Sequence, residues 1–415
     1  MSQTMAPEEP PKKGWRGLPR NVWAVSLTSF FMDISSEMVV NLLPLFLANV
    51  LGVRISLIGL IEGIAEMTAS LLKVFSGWFS DRLGERKWLA VAGYGISTLA
   101  KPFFYFAQTW SQVLVVRWAD RVGKGIRTAP RDALVADSID EKQRGLAFGL
   151  HRAADTGGAV IGLLIALGVI WAAQEAAVKL GRDTFQTVVL VSLIPAVLAV
   201  LVLAVGARDL PVSGKQARPK IALRGLGRPF LIFLLIVGIW DLGNSSDAFL
   251  VLRAQSLGTS VVGILLMLIT FNFVYAVVST PAGALSDRIG RRKIIIGGWL
   301  AYAVIYFGFA MAQTSWQVWF LYAAYGLYYG MAYGTSKAMV ADLVPPELRG
   351  TAYGTYNAVL GILDLPASLI AGILWQGIAG WAGLGASAPF IFGAACSLLA
   401  AVLMVSWKPP APQPR

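Results

Sequence analysis

The segment GWFSDRLGERK at residues 77–87 recurs as GALSDRIGRRK at residues 283–293, an offset of 206 residues. A second pair follows nearly the same spacing. VADSIDEKQRG at residues 135–145 recurs as VADLVPPELRG at residues 340–350, an offset of 205 residues. Two separate motifs that share one offset indicate an internal duplication, because self-similarity at a fixed period marks a repeated structural unit. The chain is therefore predicted to have two homologous halves.

The composition places both halves in a membrane. Of the 415 residues, 56% are apolar and 14% are charged, with a mean hydropathy of +0.64, whereas soluble domains carry roughly a quarter of their residues as charges. A membrane-spanning helix needs about 20 mostly apolar residues. Such stretches lie near 22–48, 56–80, 88–107, 111–136, 144–172, 185–206, 229–253, 260–284, 293–312, 316–342, 350–378 and 388–407. We expect an all-α integral membrane protein with twelve transmembrane helices in two six-helix pseudo-repeats.

The predicted organisation has five parts. A basic, proline-containing linker, ARDLPVSGKQARPKIALRGLGRP, joins the two bundles. The leader lacks a small-residue cleavage site after a short apolar core, so we expect the first span to be retained. The expected parts are a cytoplasmic leader at 1–21, a first bundle at 22–206, a cytoplasmic linker at 207–228, a second bundle at 229–407 and a cytoplasmic tail at 408–415.

The distribution of the positive charges that make up the net charge of +12 indicates the membrane topology. With the N-terminus inside, the leader, the even-numbered connections and the tail hold 22 Lys and Arg residues. The opposite side holds four, namely Arg54, Lys179, Arg182 and Arg253. This bias predicts that both termini lie in the cytoplasm of a multi-pass protein of the inner (plasma) membrane. A nucleic-acid partner is not expected, and we expect a monomer.

Several chemistries are disfavoured by what the chain contains. One cysteine (Cys396) cannot form an internal disulfide, and one histidine (His151) cannot build a multi-histidine metal site. No glycine-rich phosphate loop is present, so we expect no ATP hydrolysis and no cofactor. Energy for any transport would then come from a gradient or from a partner.

The repeated Gly-Asp-Arg-Gly loop resembles the signature loop of the major facilitator superfamily, and the likeness covers the whole chain. The second copy matches in full, whereas the first has Glu85 where the family usually has a cation. The resemblance implies that the loop aspartate braces an inner gate against a helix N-terminus of the other half. The gate residues it implies are Gly77, Asp81, Arg82, Gly84, Arg86 and Asp137, and in the second half Gly283, Asp287, Arg288, Gly290, Arg291 and Asp342.

The fourth span carries an unusual stripe of cations. Arg117, Arg121, Lys124, Arg127 and Arg131 fall within an arc of roughly 120° over about 21 Å of helix. Facing lipid, each would cost about 2.5–3.5 kcal/mol, so the stripe should face protein or water. The family resemblance implies that spans one, four, seven and ten line a central cavity. It also matches Arg117, Gly123 and Gly125 to a family motif of this span.

A motif of exporters in the fifth span is only partly present. Gly158 and Gly162 match it, but Leu163 stands where those proteins have proline. The efflux interpretation is weakened by this departure and is not removed by it.

Acidic residues of the first half are candidates to pair with the cation stripe of the fourth span. Asp33 and Glu37 lie four residues apart on one face of the first span, and Asp155 lies in the fifth. A carboxylate deprived of water favours its protonated form, while a nearby arginine favours the charged form, so these three are candidates for proton coupling. The alternative is a structural network in which each charge offsets its neighbour's desolvation. Glu62, Glu66 and Lys73 fit that alternative best.

The second half offers an aromatic surface instead. Tyr322, Tyr325 and Tyr329 share one face of the tenth span, and Asp241 and Asn244 lie in the seventh. Tyrosines in a helix pack as often as they bind. A charged wall opposite an aromatic wall nevertheless suggests an amphipathic organic solute, held by Arg117, Arg121, Lys124, Arg127, Asn41, Asp241, Asn244, Tyr322, Tyr325 and Tyr329.

The favoured function is a secondary active transporter, not an enzyme, that exports a small organic solute in exchange for protons by alternating access. Proton-coupled uptake or exchange of an anionic metabolite is an alternative, favoured by the basic stripe. Divalent cation efflux is another, and would involve hard cations because His and Cys are scarce. A membrane-embedded enzyme or lipid-handling protein lacks a nucleophile–base signature. The expected partners are the solute, protons and the lipid bilayer.

The charge bias yields a topological prediction. A periplasm-active reporter fused after residue 180 should be active, because this connection follows the fifth span, whereas the same reporter fused after residue 407 should be silent. Reporter activity in whole cells measures both. A silent fusion at 180 together with an active one at 407 would invert the topology.

Overall fold

The computed structural model describes residues 15–140, 143–175, 177–209, 225–345 and 348–407; within these, the side chains of residues 16, 81, 280, 282–289 and 332–334 are not described. These ranges are helical and contain no strand. The helices of the first half are α1 (Arg20–Val40), α2 (Leu43–Leu45), a π-helical turn (Phe46–Val50), α3 (Ile55–Leu83), α4 (Lys87–Ala100), α5 (Pro102–Phe106), α6 (Trp110–Asp137), α7 (Arg144–Gln174) and α8 (Arg182–Gly206). Those of the second half are α9 (Arg228–Leu242), α10 (Ala248–Ser256), α11 (Val261–Ile289), α12 (Arg291–Met311), α13 (Ser315–Leu343), α14 (Arg349–Gln376) and α15 (Ala388–Ser406).

These helices form twelve spans, as predicted. Span 1 comprises α1, α2 and the π-helical turn; span 3 comprises α4 and α5; span 7 comprises α9 and α10. The remaining spans are single helices. Eight of the described spans are long and apolar enough to cross a membrane by length and composition alone. The other four are the interrupted spans 3 and 7, the charged span 4 and the tyrosine-rich span 10.

The interruptions have local causes. Span 3 breaks where Lys101 precedes Pro102, and proline starts a new helix because it has no N–H to continue the old one. Span 7 breaks at the polar segment GNSSD, residues 243–247. Non-helical backbone at membrane depth is tolerated where it is buried in protein or lines a cavity. Both breaks are buried or half-buried for the most part.

Arg253, the last residue of the predicted seventh span, lies in the last turn of α10 and is 8% exposed. Its guanidinium donates to the carbonyl oxygens of Phe309, Ala310 and Ala312 at 3.0, 3.3 and 2.8 Å. These carbonyls belong to the last turn and the end of span 9. The cation therefore satisfies groups that a helix C-terminus leaves unpaired.

The two halves meet along a glycine seam between spans 2 and 11. A Cβ atom added at Gly59 would lie 2.3 Å from the carbonyl oxygen of Ser368, and one at Gly361 would lie 2.2 Å from the Cβ of Ser70. Neither position has room for a side chain, so the backbones approach directly at Gly59, and at Gly361 the backbone packs against the Ser70 side chain. Arg54 closes the far end of the seam by donating to the Gln376 carbonyl oxygen at 3.1 Å.

Spans 2 and 11 pack less closely towards one face of the bundle. Arg20 of span 1 donates to the carbonyl oxygens of Val205 and Gly206 at the end of span 6, which defines a terminal face. Near that face, a Cβ added at Gly354 would meet only Val74, at 3.9 Å, and one at Gly350 would meet nothing within 4 Å. The opposite face, called here the loop face, is closed by the seam.

The seam predicts a conformational bias. Gly59→Leu should force spans 2 and 11 apart and shift the protein towards a state open at the loop face, because the added side chain has no space there. Thiol labelling of a cysteine introduced at Ser56, in a background without Cys396, should become at least several-fold faster. The matched control is Gly297→Leu, since a Cβ at Gly297 meets nothing within 4 Å. Unchanged labelling in folded Gly59→Leu protein would contradict the seam's role.

Candidate functional site

A central cavity of about 430 Å³ lies between the halves. It is bordered by the first half of span 4 and by the break in span 7. Both halves contribute to its wall. The charged residues that line it are Glu37, Glu62, Glu66, Arg117, Arg121, Lys124, Asp247 and Asp364. Carboxylates therefore outnumber cations in this lining.

An ion-pair network forms the wall on the first half. Arg117 Nη2 lies 2.8 Å from Glu62 Oε2 and 3.7 Å from Glu66 Oε1, and Arg121 Nη2 lies 3.2 Å from the same Glu66 oxygen. Arg117 and Glu62 are 1% and 3% exposed, so they form a buried pair. Asp120 adds a third carboxylate at 3.9 Å from Arg117. Glu62 and Glu66 were expected to belong to a structural ion-pair network. They also line the cavity together with the arginines.

Lys124 occupies a different environment on the same helix. It lies in the middle of span 4 yet is exposed, because its side chain faces the cavity. Among the described residues no carboxylate lies within ion-pair distance of it. Its ammonium group is therefore the cation of this wall that a solute can reach without displacing a partner.

The remaining two cations of the stripe lie outside the lining of the cavity. Arg127 donates to Ser97 Oγ at 2.6 Å, and its guanidinium lies 4.5 Å from the Tyr94 ring centre. Arg131 pairs with Asp132 at 2.8 Å and donates to Ser29 at 3.1 Å. The stripe is thus split by depth. Its first three members face the cavity, and its last two bind spans 1 and 3.

The three proton-coupling candidates also lie in different places. Glu37 lines the cavity and accepts a hydrogen bond from Asn41 Nδ2 at 2.7 Å. Asp33, one turn away, is half-buried and outside the lining. Asp155 lies 3.8 Å from His151, one turn apart on span 5. Of the three, Glu37 is the one in direct contact with the central cavity.

A buried lysine beside this region was not singled out from the sequence. Lys101 is 2% exposed and donates to Ser35 Oγ at 2.5 Å and to Ser36 Oγ at 3.2 Å. Its position at the break of span 3 places its ammonium group against span 1. The lysine immediately before a proline inside a span was the available signal.

Aromatic rings form the wall on the second half. Tyr325 donates to Asp247 Oδ1 at 3.0 Å and stacks on Phe271 with ring centres 5.4 Å apart. Tyr329 meets Phe271 edge to face at 5.7 Å. Tyr322 is 2% exposed, and its hydroxyl has no hydrogen-bond partner among the described residues. The tyrosine face predicted for span 10 thus lines the cavity, with Asp247 from the break in span 7.

A second chamber of about 310 Å³ continues from the central cavity towards the terminal face. It shares Glu66, Asn244, Tyr329 and Asp364 with the central cavity. Asp241 lies here and not in the lining of the central cavity. Asn244 touches both spaces and accepts a hydrogen bond from Tyr302 at 3.2 Å.

Matched ion pairs occur at the terminal face of each half. Arg86 Nε lies 2.7 Å from Asp137 Oδ2, and Arg291 Nη1 lies 2.6 Å from Asp342 Oδ2. Both pairs join the loop after the second span of a half to the fourth span of that half. The two loops therefore have equivalent contacts, as their repeated sequences suggest.

The glycines of these loops explain part of the motif. Gly84 and Gly290 have φ values of 72° and 93°, a region that favours glycine. Arg82 lies over the Trp78 ring at 5.7 Å, and a Cβ on Gly77 would meet Ala129 at 3.3 Å. The side chains of Asp81, Gly283, Asp287 and Arg288 lie outside the described residues, so the predicted brace across the gate stays a prediction.

The two glycines of span 5 have a packing role. A Cβ added at Gly158 would lie 2.4 Å from the Phe30 carbonyl oxygen, and one at Gly162 would lie 2.5 Å from that of Ile34. These glycines therefore let span 5 pack directly against span 1. The close contact holds whether or not the chain exports its solute.

Comparison with known proteins agrees with this architecture. The family model of the Major Facilitator Superfamily matches residues 25–252 and again 231–415. An uncharacterised MFS-type transporter of Methanocaldococcus jannaschii is 32% identical over 396 residues, covering 94% of this chain and 95% of that protein. The cis,cis-muconate transport protein of Acinetobacter baylyi is 24% identical over 341 residues, covering 75% of this chain and 76% of its own.

A solved structure shares the fold. A mutant of the nucleoside transporter NupG superposes with a TM-score of 0.77 at 13% identity, covering 94% of this chain and 100% of its own. At that identity the likeness concerns the fold alone.

The buried pair generates a stability prediction. Arg117→Gln should cost about 3–5 kcal/mol of stability, because it leaves Glu62 charged and buried without its partner. Adding Glu62→Gln should restore part of the loss. Melting temperatures in detergent measure both effects, and Lys124→Gln, which removes a cation without a partner, should melt close to the unmodified protein. Equal melting of Arg117→Gln and Lys124→Gln would show that the pair does not stabilise the bundle.

Proposed function

This chain belongs to the major facilitator superfamily, whose members carry solutes across membranes by alternating access, and we propose that it exports a small organic solute in exchange for protons. The observation that carries the proposal is the central cavity, which joins a charged wall to an aromatic wall. A solute with one polar and one apolar end would satisfy both walls at once. We further propose that both termini are cytoplasmic.

The seam and the looser packing beyond it support an alternating mechanism. Spans 2 and 11 are in direct backbone contact near the loop face and pack less closely near the terminal face. With cytoplasmic termini, the cavity of this conformation would receive solute from the cytoplasm. Release on the other side would require the seam of spans 2 and 11 to part while the terminal face closes. Each solute-bound state would then bias the equilibrium by its own contacts.

Glu37 is our leading candidate for the proton. It is half-buried on the wall of the cavity, so its environment changes when the cavity changes the side to which it opens. A carboxylate exchanges its proton when the polarity and the charges around it change. Asn41 holds it by a hydrogen bond, and Asp33 and Asp155 are the next candidates. Protons that flow inward would then drive the solute outward.

Uptake or exchange of an anionic metabolite is the second candidate. Lys124 is exposed to the cavity, and Arg117 and Arg121 lie beside it. The similarity to a cis,cis-muconate transport protein supports this alternative, because its named substrate carries carboxylates. Against it, the lining carboxylates already pair with both arginines. An anion that binds Arg121 would have to displace Glu66, whereas one that binds Lys124 would displace no partner.

Flux in proteoliposomes tests the proposal. With an imposed pH gradient, the purified protein should accumulate one member of a panel of organic cations, anions and neutral solutes on the acidic side, as expected for exchange against protons. Uptake together with protons would accumulate the solute on the opposite side and support the second candidate. Absence of flux for every class of solute would contradict transport.

For coupling, we predict that Glu37→Gln abolishes gradient-driven accumulation while it leaves solute exchange without a gradient within a few-fold of normal, because the amide cannot exchange a proton. Asp183→Asn, an exposed carboxylate at the start of span 6, is the matched control and should retain full accumulation. If Glu37→Gln protein still concentrates the solute, the proton is carried elsewhere. Asp33→Asn and Asp155→Asn are then the variants to compare.

A further inference from the structure

Two of the charged residues that line the central cavity are exposed to it, and each half of the protein contributes one. Lys124 of span 4 is the exposed cation, and Asp247 at the break in span 7 is the exposed carboxylate. The other charged residues of this lining are buried or half-buried. The cavity therefore offers a solute one positive group on the wall of the first half and one negative group on the wall of the second.

Neither group has a partner of opposite charge within the part of the chain that the structure describes. No carboxylate lies within ion-pair distance of the Lys124 ammonium group, and no cation lies within ion-pair distance of the Asp247 carboxylate. Arg121, one turn before Lys124, differs because it pairs with Glu66 at 3.2 Å. A charge without a partner at membrane depth is costly. Each of the two groups is therefore stabilised when a solute brings an opposite charge to it.

The carboxylate of Asp247 is held towards the cavity. Asp247 is the N-cap residue of α10, where an aspartate commonly accepts a hydrogen bond from the first turn of its helix, but its side chain makes no such bond here. The Ser246 hydroxyl accepts from the Ala248 N–H instead, at 3.3 Å. Asp247 Oδ1 accepts from the Tyr325 hydroxyl at 3.0 Å. Span 10 thus orients one carboxylate oxygen, and the other makes no hydrogen bond within the described residues.

The two groups lie at different depths in the membrane. Asp247 lies beside Tyr325, to which it is hydrogen-bonded. The repeat offset of 205 residues matches Lys124 to Tyr329, one turn further along span 10. Equivalent positions of the two halves share a depth, because such repeats are related by an axis along the membrane normal. Lys124 is therefore about 6 Å nearer the terminal face than Asp247, since four residues of helix rise that far. A solute that meets both groups must carry its charges at separate ends.

Aromatic rings lie on the wall between these two depths. Phe271, Tyr325 and Tyr329 all line the cavity. Phe271 stacks on Tyr325 with ring centres 5.4 Å apart and meets Tyr329 edge to face at 5.7 Å. Rings packed in this way present a large apolar surface of fixed shape. This surface favours an apolar body between the two charged ends of the solute.

We propose that the central cavity binds a zwitterion, an organic solute with a carboxylate at one end, an ammonium group at the other and an aromatic or other apolar body between them. Lys124 binds the carboxylate, Asp247 binds the ammonium group, and Phe271 and Tyr329 contact the body. The proposal names the class of solute for the transport function given above, on which it rests for the meaning of the site.

Solutes with a different arrangement of charges fit the cavity less well. A purely anionic solute leaves Asp247 without a partner, and a purely cationic solute leaves Lys124 without one. An α-amino acid carries both charges on one carbon, so it cannot place them at two depths. The two exposed groups therefore select for the number of charges and for the distance between them.

Equilibrium binding to the purified full-length protein in detergent at pH 7 tests this site. The probe is 4-(aminomethyl)benzoate, which carries its ammonium group and its carboxylate at opposite ends of one ring. The comparators are 4-methylbenzylamine, which lacks the carboxylate, and 4-methylbenzoate, which lacks the ammonium group. We expect the zwitterion to bind at least about tenfold more tightly than either, a difference of about 1.4 kcal/mol, because each comparator loses one charge-assisted contact. Calorimetry measures the affinities.

Two variants assign the contacts. Lys124→Gln should bind the zwitterion no more tightly than 4-methylbenzylamine, and Asp247→Asn should bind it no more tightly than 4-methylbenzoate. Both side chains are exposed to the cavity, so both variants should fold, and melting temperatures check this. The matched controls are Lys179→Gln and Asp183→Asn, which remove exposed charges outside the cavity and should leave the affinity unchanged.

Three results would overturn the site. The first is equal affinity for the zwitterion and either comparator in the unmodified protein, and the second is an undiminished preference for the zwitterion in folded Lys124→Gln or Asp247→Asn protein. The third is tighter binding of 4-methylbenzoate than of the zwitterion, which would favour an anionic solute. Because the measurement uses no pH gradient, its outcome is separate from that of the flux experiment. A protein that prefers the zwitterion through both residues but moves no solute would uphold the site and refute the transport function.

Discussion

The ion pair between Arg117 and Glu62 imposes a constraint on the whole first half. Both side chains lie in segments that cross the membrane, where an unpaired charge is costly. Their 2.8 Å contact requires span 4 to lie against span 2 at a fixed depth. Glu66, one turn further along span 2, then falls beside Arg121 and faces the cavity. The position of the charged wall thus follows from the need to pair one buried arginine.

The same constraint explains why the two halves, although duplicated, differ in chemistry. In the first half, charges pair with charges across spans 2 and 4. In the second half, tyrosines of span 10 pack against one another and against Phe271, which requires no charge compensation. A stripe of cations in the tenth span like the one in the fourth would require a second set of buried acids. With one charged wall and one aromatic wall, few charges need a partner inside the membrane. The two sides of the cavity then differ in chemistry.

The sequence predicted the fold more fully than the site. Twelve spans in two repeats were predicted from apolar length and from the duplicated loops, and the structure confirms them, because both signals are local along the chain. The split of the cation stripe was not predictable. Arg121 and Arg127 lie within one arc of a helix, but the first pairs with Glu66 of span 2 and the second with Ser97 of span 3. Which neighbour a side chain meets depends on the tilt and depth of other spans.

The placement of the span-7 aspartates was not predicted for a similar reason. Asp241 and Asp247 lie six residues apart, and an unbroken helix would put them about 120° apart around span 7. The break at 243–247 instead places one in the second chamber and the other in the central cavity. The polar run GNSSD within an apolar span was the signal that could have revealed this. The roles of these residues in binding remain predictions.

The glycine seam between spans 2 and 11 has a consequence for the energetics of motion. Surfaces that meet through interlocked side chains must release each rotamer before they separate, and each release adds to the barrier. At Gly59 and Gly361 helical backbone meets the other half directly, and the backbone hydrogen bonds of both helices are already formed within each helix. At these two positions, parting the surfaces frees no glycine side chain. We therefore expect these contacts to add little to the barrier between the two open states, so that small differences in solute binding can select the open face.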